Sequence, residues 1–151
     1  MSDAILSLIP QDPSYVPNAS AQASAVSLLR SLAPQADRVK AQVFNNVTFI
    51  DQGANFESVH CPGCKIEVEI ASWQDWMSKA SGSEFCDLSL AMPCCGASTS
   101  LNDLIYEWPA GFARFALIIQ NPNIGGWLAE EKLAEVDDVV GCKLRQIYAR
   151  I

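Results

Sequence analysis

The spacing of hydrophobic positions divides this chain into three blocks. In the first, which runs to about Asp51, Ile5 to Pro10 is a short apolar run of strand character. The loop after it, Gln11 to Pro17, carries two prolines, which cannot continue a ladder. Asn18 or Ser20 is placed to cap a helix, and Ala21, Ala25, Leu28, Leu29 and Leu32 then fall on one helical face. Pro34 ends that helix. Val39, Ala41, Val43, Val47 and Phe49 share odd parity, with Lys40, Gln42, Asn46 and Thr48 opposite, which predicts one long or bent strand with a wet side.

The third block repeats the order. Phe112 to Gln120 is dense in apolar residues and reads as a central strand, and Asn121 to Gly126 as a loop. Trp127 to Val140 reads as a helix with Leu133, Val136 and Val140 on its apolar side, and Gly141 stands where a helix-ending glycine belongs. Cys142 to Ile151 is then a last strand. Each outer block spells strand, helix, strand. The predicted fold is therefore α+β: a ferredoxin-like βαβ-βαβ sheet, with halves 1–51 and 112–151, in a single domain covering 1–151.

The middle block, 52–111, interrupts this pattern and reads as an insertion. It holds five of the six cysteines, three of the four tryptophans and the one histidine. Ser72 is a candidate N-cap for a short helix carrying Trp73, Trp76 and Met77. Lys65 to Ile70 alternates strongly and predicts a strand, as does Asp87 to Met92.

The cysteines carry the strongest chemical signal. In Cys61-Pro-Gly-Cys64 a tight turn aims two sulfurs at one point, and zinc needs four ligands in a tetrahedron. The second pair is Cys94-Cys95, with 29 residues between Cys64 and Cys94. Adjacent side chains on extended backbone point opposite ways, so both reach one metal only through a sharp turn, which Gly96 permits. Cys61, Cys64, Cys94 and Cys95 are the expected zinc ligands. Cys86 or His60 is the alternative for the fourth position, and a thiol redox pair is the alternative use of Cys61 and Cys64. Cys86 and Cys142 sit in strand-like contexts and read as small core hydrophobes.

The segment from about Val59 to Thr99 resembles the zinc-ribbon class. The run PCCGASTSLNDLIYEWPAGFARF is similar to an uncharacterised bacterial protein family with an inserted ribbon. The resemblance implies a fold feature and no particular activity.

Catalytic motifs are missing. A catalytic zinc keeps an open position for water, whereas four cysteines close the shell. His60-Cys-Pro and Pro93-Cys-Cys-Gly do not match the deaminase pattern, and Asp12, Asp103 and Glu107 have no pairing partner in the pattern. The net charge of -7 argues against a phosphate-binding surface, and between Val59 and Ser100 only Lys65 and Lys79 are basic. Half the residues are hydrophobic and 18% are charged, as in a folded protein.

The expected function is a non-catalytic, zinc-stabilised module that binds another protein, such as an immunity or inhibitor protein for a basic bacterial toxin. Tyr15, Tyr106 and Trp108, in loop-like contexts, are the expected contact residues. A cysteine-dependent enzyme and a nucleic-acid-associated ribbon are the alternatives. The opening MSDAILSLIPQDP has no positive n-region, and no apolar run approaches the ~18 residues of a membrane span, so a cytoplasmic protein is expected.

Overall fold

The computed structural model describes residues 3–151. Met1 and Ser2, the first residues of the segment read for a leader, lie outside them. The fold is mixed α and β. Strand β1 (Ala4–Pro10) leads through helix α1 (Ala19–Leu32) to the long strand β2 (Arg38–Ile50). Then come the two-residue β3 (Val59–His60), helix α2 (Ile70–Ser81), β4 (Ser89–Ala91), β5 (Ser98–Ser100), a 3-10 turn (Leu101–Asp103) and β6 (Ile105–Tyr106). The chain closes with β7 (Gly111–Gln120), helix α3 (Glu130–Val140) and β8 (Leu144–Arg150).

Four strands form one sheet in the order β2-β7-β1-β8, with every neighbouring pair antiparallel. Its core against α1 and α3 is built from Leu6, Leu8, Ala25, Leu29, Phe115, Leu117, Ile119, Val136 and Val140. Asn18 caps α1, its side chain accepting from the Ala21 amide at 2.8 Å. Replacing Asn18 with Ala should destabilise the protein by about 1 kcal/mol in urea denaturation, the usual worth of such a cap. Gly141 ends α3 at φ 90°, and the Tyr15 hydroxyl donates to the adjacent Val140 carbonyl at 2.7 Å.

Two helices differ from their sequence-predicted bounds. Helix α3 begins at Glu130 rather than Trp127, because Gly125 and Gly126 hold positive φ and keep Trp127 in the loop. Helix α2 begins at Ile70, with Glu69 rather than Ser72 at the cap position. The strand expected over Lys65 to Ile70 is not formed. That stretch makes a single bridge, Glu67 to His60, and its Ile66 and Ile70 are 55% and 39% exposed.

Strand β2 explains how one chain serves two cores. Val39 and Ala41 face the helices, while Val47 and Phe49 pack with segment 52–110. Between them lies a bulge: Val43 pairs with Phe115 and Thr48 with Ala113, so four residues of β2 stand against one of β7. That one residue, Arg114, bonds the bulge through its Nε to the Phe44 carbonyl at 3.3 Å. Odd parity survives along the strand, as its sequence suggests, yet it addresses a different layer on each side of the bulge.

Segment 52–110 builds its own core from Val59, Cys61, Val68, Met92, Leu101, Leu104 and Tyr106, joined by Phe112 of β7. The joint to the sheet is polar and buried. Asn102, 4% exposed, donates to the Gln11 carbonyl at 3.0 Å and accepts from the Phe112 amide at 2.9 Å. Arg145 of β8 donates to the Asn102 and Ala110 carbonyls, both at 2.9 Å. Gly111 is required by this close approach. A Cβ there would lie 2.7 Å from Arg145 Nη1 and 2.8 Å from Ile9 Cδ1.

Candidate metal centre

Two chain reversals bring the expected cysteines together. The first follows β3: the Cys61 amide donates to Ile66 O at 2.9 Å, and the Lys65 amide donates back to Cys61 O at 2.9 Å. The second is the turn of the β4–β5 hairpin: the Met92 amide donates to Ala97 O at 2.9 Å, and the Gly96 amide to Met92 O at 2.7 Å. The two bond patterns are the same, offset by 31 positions in the numbering (92 less 61). Lys65 and Gly96, the equivalent residues, both turn left-handed at φ 68° and 75°.

This equivalence explains the adjacent cysteines. Cys61-Pro-Gly-Cys64-Lys65 superposes by its bonds on Met92-Pro-Cys-Cys95-Gly96. Met92 fills the place of Cys61, and both are buried, at 1% and 0% exposure. Cys95 matches Cys64. The remaining sulfur comes from Cys94, at the position held by Gly63 in the first turn. Gly63 must stay small: a Cβ there would meet Cys95 Sγ and Ala97 Cβ, each at 3.0 Å. The shared Pro62 and Pro93 are the signal in the sequence that marks this register, and spacing of cysteines alone misses it.

All four sulfurs lie within 4.8 Å of one another. Cys61 Sγ is 3.7 Å from Cys95 Sγ, and Cys64 Sγ is 3.4 Å from Cys94 Sγ. A tetrahedron with ~2.3 Å metal–sulfur arms has edges of about 3.8 Å, so the donor set fits a thiolate-bound ion. Disulfides, at ~2.05 Å, are excluded by these separations, and all six cysteines are free. His60 stands apart from the cluster, its ring nitrogens bonding Ser58 Oγ at 3.1 Å and Lys65 O at 3.2 Å. Cys86 is outside it too.

The electrostatics favour a bound cation. Chiefly the Cys64 backbone amide, aided by the Gly63 amide 3.3 Å from the sulfur, lowers the Cys61 thiol to about 6 against the effect of burial. Cys94 moves the other way, to about 12, first through its bond to Cys64 and then through desolvation and the Cys61 charge. Cys95 is also raised, although the Ala97 amide, its largest influence, acts downward. One thiolate forms readily, and the next is opposed by it. A cation at the centre removes that opposition, as metal binding to thiols requires.

The other predicted residues are placed as follows. Cys86 is exposed in the turn after α2, where Glu84 and Phe85 hold positive φ, so it is not a core residue; Cys142 is half-buried, and burial raises its thiol to about 11. Tyr106, expected at a contact surface, is only 7% exposed. Its hydroxyl donates to Leu101 O at 2.6 Å and accepts from Trp73 Nε1 at 3.3 Å, so it belongs to the core of segment 52–110. Tyr15 is partly buried and holds the end of α3. Trp108 is 36% exposed. Asp12 accepts from Ser14 and Asp103 from Ser100, with no shared site. Replacing Cys86 or Cys142 with Ser should leave metal content unchanged, whereas Cys95→Ser should lower it severely, as read by elemental analysis of the purified variants.

No protein-family model, curated protein or solved structure matches this chain.

Proposed function

We propose that this chain is a non-catalytic module, held by one structural zinc ion, that works by binding another protein in the manner of an inhibitor of a basic bacterial toxin. The observation that carries the reading is the four-sulfur cluster: Cys61, Cys64, Cys94 and Cys95 would fill the coordination shell, leaving no position for a reacting water. Zinc suits a compact four-thiolate site on one small domain. The ion would supply cross-linking of the two reversals and no chemistry. Reduced thiols of this kind fit a cytoplasmic setting, and among the described residues no helix is long and apolar enough to cross a membrane.

The same reading treats the outer halves as ferredoxin-like and segment 52–111 as a ribbon insertion. The order β2-β7-β1-β8 supports this, since two βαβ units with antiparallel neighbours arrive at that order. The acidic surface supports a basic partner. The net charge is -7, and Lys79 to Asp75 at 3.1 Å pairs one exposed carboxylate, leaving the excess of acidic groups over basic ones unchanged.

The test is affinity purification from the native cell followed by binding kinetics with the purified partner. The reading expects one basic protein whose association rate falls steeply as salt rises. Retention on DNA at physiological salt, or a Cys61→Ser variant that stays folded and loses only a catalytic turnover, would contradict it.

A further inference from the structure

Two tryptophans far apart in sequence are held together at the surface by two side-chain amides, one buried and one half-buried. Trp108, from the loop before β7, and Trp127, from the loop before α3, lie with ring centroids 6.0 Å apart and planes at 29°. Both rest against Tyr148 of β8, at 6.3 and 5.7 Å. They remain 36% and 42% exposed.

Their presentation is built. Trp108 holds φ 57°, a conformation that is costly for a bulky residue and that persists only where its surroundings impose it. Gln52, 1% exposed, imposes it by donating from Nε2 to the Trp108 carbonyl at 2.9 Å. Trp127 follows Gly125 and Gly126 at φ 81° and 136°. The next residue, Leu128, is gripped on both backbone groups by one side chain. Its amide donates to Gln146 Oε1 at 2.8 Å, and its carbonyl accepts from Gln146 Nε2 at 3.1 Å. Two side-chain amides and a strained residue thus keep two large apolar rings facing water, where burial alone would favour the opposite.

From this, and resting on the protein-binding reading above, we propose that the Trp108–Trp127 pair is the docking platform, and that its occupant is a basic segment of the partner protein that lays an Arg or Lys side chain on the indoles. Charge points to that occupant. Glu107 precedes Trp108, and Glu130 and Glu131 open α3 just after Trp127. None of the three carboxylates has a hydrogen-bond or ion-pair partner among the described residues. Tryptophan is also the residue type that most often dominates binding energy when packed at an interface centre.

The probe is a random peptide phage library panned against the zinc-loaded chain, with selected peptides measured by fluorescence titration. The platform predicts peptides rich in Arg or Lys beside apolar residues, with affinity reduced about tenfold or more in Trp108→Ala and Trp127→Ala and unchanged in Tyr15→Phe. If either Ala variant fails to fold, as read by circular dichroism and metal content, the double charge reversal Glu107→Lys, Glu130→Lys should weaken binding to a similar degree. Acidic or neutral peptides, no selected peptide, or binding indifferent to both the tryptophan and charge variants would overturn the platform. A basic partner that binds the intact chain equally well in the tryptophan and charge variants would sink the platform alone and leave the protein-binding reading standing.

Discussion

Cys61→Ser should melt segment 59–106 and leave the four-stranded sheet folded. Cys61 is the buried member of the cluster, and its amide and carbonyl both hold the first reversal. Its loss removes one ligand and exposes the centre of a core made of Val59, Val68, Met92 and Leu104. Apparent metal-binding energies at structural zinc sites are on the order of 10 kcal/mol, comparable with the whole stability of a domain this size. The small β3–β6 and β4–β5 ribbons cannot replace that support, since isolated two-stranded pairs are marginal in water. The core between the sheet and α1 and α3 is a separate set of residues. Amide hydrogen exchange should therefore show protection lost across 59–106 and retained in β1 and β7. Undiminished protection in that segment would contradict this, and so would collapse of both parts together. A chelator acting on the unmodified protein should give the same map.

Asn102→Ala should be strongly destabilising for a polar residue, at about 3 kcal/mol. The Asn102 side chain joins three segments: the loop after β1 at Gln11, the start of β7 at Phe112, and β8 through Arg145 Nη1, 3.2 Å from Oδ1. Truncation leaves the buried Phe112 amide without Oδ1, at about 1–3 kcal/mol for an orphaned buried group, and also removes the bonds to Arg145 and to the Gln11 carbonyl. Asn102→Asp keeps the Oδ1 that accepts from Phe112 and Arg145 but sets a second acceptor oxygen against the Gln11 carbonyl, so it too should destabilise the protein. Urea denaturation of the metal-loaded variants reads both losses. A loss below about 1 kcal/mol for Asn102→Ala would remove this joint from the account.

The outer halves were legible because their signals are local and agree with each other. The cap at Asn18, the helical face of Ala25 and Leu29, the apolar run of β7 and the stop at Gly141 each act over a few residues. The middle segment was harder to read for a physical reason. Ile66, Val68 and Ile70 alternate like a strand, but Ile70, Trp73 and Met77 also share a helical face, and only Val68 of the first trio is buried. Its backbone is governed by the cysteine turn, whose bonds to Val59 and Ile66 end the ladder after one bridge. Cys86 failed as a core residue for a related reason: positive φ at Glu84 and Phe85, invisible to a hydrophobic pattern, turns the chain outward.

The cluster itself was visible as residues but not as geometry. Adjacent Cys94 and Cys95 looked awkward because two sulfurs on extended backbone diverge. They are not on extended backbone. They occupy the third and fourth places of a turn that repeats the first one, with Met92 in the place of the missing cysteine. Likewise, the contribution of Trp127 to the surface depends on Gly125 and Gly126, whose positive φ keeps it out of α3 and is invisible to a hydrophobic pattern.

Elemental analysis of the purified, unmodified chain tests the central claim most directly. The account predicts about one zinc per chain in the wild type, falling to near zero when both Cys94 and Cys95 are replaced with Ser. A folded wild-type protein that holds no metal, and whose stability a chelator does not change, would contradict it.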